Sequence, residues 1–167
     1  MFKNIFWATV FALIAVLLQS TLFSHIAIYR AVPDLALGIV VFSAYLNGSM
    51  TGQLTGFFSG LLMDFLSAAP LGLNCIIRTL TGALTGLLKG AFFLDFLFLP
   101  MILCASATIL KAITVFILYL IFSGKIPAYS FFAPTFWIEL GLNTICAPFL
   151  FAFLKKFKSL LVERGSR

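Results

Sequence analysis

Few side chains in this 167-residue chain could do chemistry, and they stand far apart. Asp64, Arg78 and Lys111 lie inside apolar stretches, Glu139 lies near the outer edge of another, and His25 is the only histidine. Charges at such positions pair with one another, relay protons or hold a charged ligand; left unpaired at membrane depth, each costs at least about 2.5–3.5 kcal/mol. Nothing around them completes a catalytic set. There is no Gly-x-Ser-x-Gly, no HExxH, no Walker loop and no carboxylate pair arranged for acid–base work. Cys75, Cys104 and Cys146 are scattered, without CxxC spacing or a Cys/His cluster, so they read as small apolar side chains. No metal, no cofactor and no enzyme activity are expected. An enzyme of lipid or prenyl chemistry would need a carboxylate or histidine cluster that the chain lacks.

The segments that carry Asp64 and Arg78 explain how the two would meet. Gly48, Gly52, Gly56 and Gly60 recur at every fourth position, and Asp64 takes the next place. After a turn at Pro70-Leu-Gly72, the same spacing returns as Arg78, Gly82, Gly86 and Gly90. Small residues four apart make a flat strip on a helix and let a second backbone come close. A helix-interior glycine costs about 1 kcal/mol relative to alanine, so its repetition implies a packing gain. The two segments are therefore expected to form an antiparallel hairpin, packed through Gly48, Gly52, Gly56, Gly60, Gly82, Gly86 and Gly90. With the turn centred near Leu71, Asp64 and Arg78 reach the same depth, and an Asp64–Arg78 ion pair is expected. It serves either to hold the bundle together or to bind a partner or ligand.

The remainder of the chain is a membrane sequence. It is 62% hydrophobic and 10% charged, against about 25% charged for soluble domains. One all-α membrane domain of six short spans is expected, over residues 4–24, 33–47, 50–67, 72–89, 100–122 and 135–154, with a basic tail at 155–167. Segments two to four are brief, and full spans and a partly re-entrant region both fit them. Pro33 and Asp34 mark the turn into segment two, with Pro33 suited to the helix's first turn. Gln19, in a Gln-Ser-Thr patch, either hydrogen-bonds a second helix or lines a cavity. Lys111, near the middle of segment five, is expected to face a cavity, find a carboxylate or snorkel imperfectly, and is a candidate partner contact. His25, alone in the first external loop, is expected at the interface, and Tyr129 and Trp137 in the aromatic belt.

The net charge of +6 is no sign of nucleic-acid binding, because five of the eleven basic residues fall in the last thirteen positions. Lys3, Lys89 and those five lie on one side of a six-span arrangement, and Arg30 and Lys125 on the other. The positive-inside rule therefore places both termini in the cytoplasm, with the tail near anionic lipid. Shortening the tail after Lys158 is expected to matter only mildly.

A resemblance carries the reading further. Pro33-Asp34-Leu-Ala-Leu, then Gly52-x3-Gly56-x3-Gly60-Leu-Leu-x-Asp64, then Pro70-Leu-Gly72, resembles the rod shape-determining MreD family; length, spans and basic tail also match. The resemblance implies a non-enzymatic component of the bacterial cell-elongation complex in the inner membrane. Its implied partners are MreC directly, and MreB, RodA and the elongation transpeptidase through the complex. Members of that family are similar in fold to the substrate-binding S-components of energy-coupling-factor vitamin transporters. That similarity supplies the alternative: a small-molecule pocket at the outer side, and a small-residue pair, Ala8 and Ala12, that would contact a coupling subunit.

Overall fold

The computed structural model describes residues 2–21, 31–67, 69–91, 98–122 and 132–162. The expectations for His25, Arg30, Lys125, Tyr129, Arg164 and Arg167 lie outside these. Among the described residues the chain forms seven helices: α1 Phe2–Thr21, α2 Leu35–Asn47, α3 Ser49–Leu66, α4 Leu73–Leu87, α5 Phe98–Ile121, α6 Pro134–Lys156 and α7 Lys158–Leu161. Three of them, α1, α5 and α6, are long and apolar enough to cross a membrane. At 1.5 Å per residue, α2 is only about 20 Å long.

That short helix is the centre of the bundle. Residues Ala36 to Tyr45 are buried without interruption, and α2 packs against α1, α3, α4, α5 and α6. A helix apolar on every face belongs in a core. Asp34 starts it as N-cap, its side chain accepting from the Leu37 amide at 3.0 Å. The helix therefore begins at Leu35, and Pro33 stands before the cap rather than in the first turn. Gly48, at φ +100°, ends α2 and at once begins α3.

The glycine hairpin forms, in a register of its own. A Cβ on Gly52 would come within 3.0 Å of the Gly82 carbonyl, and one on Gly82 would meet the Gly52 carbonyl. Gly56 lies against the Arg78 backbone, Gly60 against Asn74 and Cys75, and Gly86 against Gly48 and Ser49. These contacts are backbone on backbone, so no side-chain rotation relieves an added methyl. Two of the expected rungs differ. Gly48 sits at the α2–α3 turn, where its conformation rather than a helix contact requires glycine. Gly90 lies past α4 at φ +74° with nothing near its Cβ position, so it takes no part in packing.

From α1 to α6, helices successive in sequence alternate in direction. The N-terminus of α1, the C-termini of α2 and α4, and α7 share one end, called here the terminal end. There the Asn47 side chain donates to Leu161 O at 2.7 Å, and Lys89 Nζ donates to Asn47 O at 3.2 Å. The ring of Phe157 lies 5.2 Å from that of Phe11. The basic tail is thus not all free: Leu161 is fully buried, so a chain ending at Lys158 loses a core contact rather than a loose extension. Large apolar side chains coat the outside, among them Phe6, Leu17, Phe57, Phe58, Leu80, Ile113 and Phe149.

Candidate functional site

The far end of the bundle holds a cluster of four ionised side chains from four places in the sequence. Arg78, on α4, is 1% exposed, and its Nη2 donates to Asp34 Oδ1 at 2.8 Å. Asp34 Oδ2 accepts from Lys111 Nζ at 3.2 Å, and Lys111 also donates to Glu139 at 2.5 Å. The cluster is neutral in sum, with two cations and two carboxylates. Each ion has a partner, which offsets the cost of holding charge in an apolar surround. Lys111, at 19%, is the most exposed of the four.

The expected Asp64–Arg78 pair is not made. The register explains why: Arg78 lies beside Gly56, and Asp64 is two helical turns, about 12 Å, further along α3. Asp64 instead caps the start of α4. Its carboxylate accepts from the amides of Gly72 at 2.9 Å, Asn74 at 3.0 Å and Cys75 at 3.1 Å, and from the Asn74 side chain at 2.9 Å. A carboxylate is stabilised by the unpaired amides and dipole of a helix N-terminus. Gly72, at φ +93°, allows the chain to turn onto that carboxylate, and Pro70 O accepts from the Leu73 amide at 3.1 Å.

Glu139 and Asn143, both on α6, complete the cluster. Glu139 was expected to be interfacial, yet it is buried against Lys111. Asn143, one turn further along α6, accepts from the Asp34 amide at 2.6 Å and donates to Thr108 Oγ1 at 2.9 Å. The i, i+4 spacing of Glu139 and Asn143 was the available signal, since it places both on one face of α6.

A cavity of about 310 Å³ opens beside the cluster. Lys111, Glu139 and Asp34 form its charged wall, and Gln19, Ser20, Ser67 and Thr135 add polar groups. Val16, Val32, Met63 and Leu66 supply apolar surface. Gln19 reaches both the start of α2 and the cavity. Its side chain donates to Pro33 O and accepts from the Ala36 amide at 3.4 Å, tying α1 to α2, and it lines the cavity. Lys111 likewise has its carboxylates and faces the same cavity. Arg78 stands behind that wall, with Nη2 against Met63 Sδ at 2.9 Å. Among the described residues no group of His, Cys, Asp and Glu has the arrangement of a metal site.

No curated protein and no solved structure matches the chain. Residues 2–157, nearly its whole length, match the family described as rod shape-determining protein MreD. The match extends well beyond the stretch 33–90 that carries the resemblance in sequence, and takes in α1, α5 and α6. It agrees with an all-helical chain bearing three membrane-length helices. The chain belongs to the rod shape-determining protein MreD family.

Proposed function

We propose that this chain is a non-enzymatic scaffold of the cell-elongation machinery, and that its far-end cavity holds a segment of MreC. The observation that carries this reading is that Gln19 and Lys111 line the same cavity. They come from α1 and α5 and border a space large enough for several side chains. A concave site with apolar walls and a few fixed polar groups is the usual form of a recognition pocket. The glycine strips offer no competing surface, since backbone already covers them.

On this reading the six helices cross the inner membrane with both termini in the cytoplasm. The cavity then opens toward the cell wall, where MreC continues beyond its membrane helix. MreB, RodA and the elongation transpeptidase are reached through the assembled complex. The vitamin-transporter alternative is not favoured, because the Ala8–Ala12 pair that it needs on the surface is 0% exposed.

The test is co-purification of MreC from membranes with variants that fill the mouth of the cavity, Ser20→Trp and Thr135→Trp. Recovery of MreC is expected to fall at least severalfold at unchanged abundance of the variant. Undiminished recovery with both would overturn the assignment of the cavity.

A further inference from the structure

We propose that α7 is a latch. Docked, it holds the terminal half of α1 in line with α6; released, it lets α1 tilt on α2 and changes the width of the far-end cavity. This concerns regulation of the cavity described above, and its importance for MreC rests on that reading.

The argument begins with how α1 is held. It packs on α2, α3 and α7, while α6 packs on α2 and α5. Helices α1 and α6 are not packed along each other. Between them stand α7 at the terminal end and the cavity at the far end, with Val16, Gln19 and Ser20 on one side and Thr135 and Glu139 on the other. A helix of 20 residues is a stiff rod of about 30 Å, so displacement of one end moves the other.

The contact on which α1 would tilt is smooth. Its buried row is Asn4, Ile5, Ala8, Ala12, Ala15 and Val16. The three alanines in the middle offer no large knob to interlock with α2. At the far end, the Gln19 bonds to Pro33 and Ala36 tie α1 to α2, so a tilt that changes the cavity width must lengthen them.

The latch itself is small and hinged. α6 ends at Lys156, Phe157 breaks the helix, and α7 restarts for one turn. Phe157 bridges the rings of Phe11 and Phe153, at 5.2 and 5.3 Å. Leu161 is buried, and its carbonyl accepts the 2.7 Å bond from Asn47. Released, the segment has a second resting place. Phe157 and Leu161 alternate with exposed Lys155, Lys156 and Lys158, a pattern suited to lying on an anionic membrane surface.

The experiment reads α1 directly. Spin labels are placed at Leu18→Cys and Trp137→Cys, both on the exposed surface, with Cys75, Cys104 and Cys146 replaced by alanine. Their separation is measured by pulsed electron resonance in nanodiscs containing phosphatidylglycerol. Three chains are compared: full length, ending at Phe157, and full length with Asn47→Ala. The expected result is a shift of a few ångströms and a broader distribution in the shortened chain, with a smaller change of the same sign in Asn47→Ala. Identical distributions in all three, at equal helicity and abundance, would overturn the latch. No partner is present in this measurement, so a negative result leaves the MreC reading intact. Failure of the cavity-filling variants to affect MreC would overturn that reading and leave the latch standing.

Discussion

Arg78 and Asp34, 44 residues apart in sequence, meet at 2.8 Å in the interior of the bundle. Asp34 is also the N-cap of the central helix α2 and the second partner of Lys111. One carboxylate therefore anchors α2, α4 and α5 together. Asp34→Ala removes the cap and leaves Arg78 buried without its counter-ion. Breaking such a pair costs about 3–5 kcal/mol, and a marked fall in membrane abundance and thermal stability is expected.

Asp64 and Arg78 are expected to be energetically separate. The charge-swapped double variant, Asp64→Arg with Arg78→Asp, should recover nothing that the single variants lose. A double-mutant cycle on Asp34 and Arg78 should give a coupling well above the roughly 0.3–0.5 kcal/mol of independent sites. Strong coupling of Asp64 to Arg78 would contradict the register of the hairpin.

Asp64→Ala acts through the start of α4. It strips four donors of their acceptor, and an unsatisfied buried group costs about 1–3 kcal/mol. The first turn of α4 should fray and expose Cys75, which is buried in the native fold. Faster maleimide labelling of Cys75 is the expected readout, with Cys104 labelling unchanged.

The glycines divide by position. Gly82→Ala places a methyl against the Gly52 backbone, and Gly56→Leu places a larger group against the Arg78 backbone. Both should lower abundance and give loss of rod shape. Gly141→Ala on α6 meets nothing within 4 Å. It should be neutral or stabilising by up to about 1 kcal/mol, since alanine is the better helix former. Normal abundance and function of Gly56→Leu would sink the close-packing account.

Lys111 and Glu139 should behave as a coupled pair on the cavity wall. Lys111→Met alone leaves two carboxylates facing one another across the site it vacated. Combining it with Glu139→Gln should cost less than the sum of the two single changes, by about 0.5–3 kcal/mol. Thermal melts of the four chains in detergent measure this.

The spans expected from sequence differ from the helices by up to three residues and omit α7, but the sequence by itself determined that this is a helical membrane chain and that two of its segments pair through glycine. Those features are local. Hydropathy sets a helix's environment, and a four-residue repeat of small side chains records close approach without reference to anything distant. It also marked Asp34 as a turn residue, Gln19 as a helix contact or cavity liner, and Lys111 as a cation in need of a partner. Tertiary structure decided which charge meets which. A shift of the hairpin register by two turns separates Asp64 from Arg78, and no spacing along the chain fixes that shift. The caps do: Gly72 turns the backbone onto Asp64, whose carboxylate is then satisfied by amides, and Arg78 is left to Asp34. The burial of Glu139 and the docking of Leu161 on Asn47 are likewise products of helix packing. Each depends on segments more than a hundred residues apart, or on the antiparallel fit of α5 against α6, and pairwise contacts of that kind leave no periodic trace in the sequence.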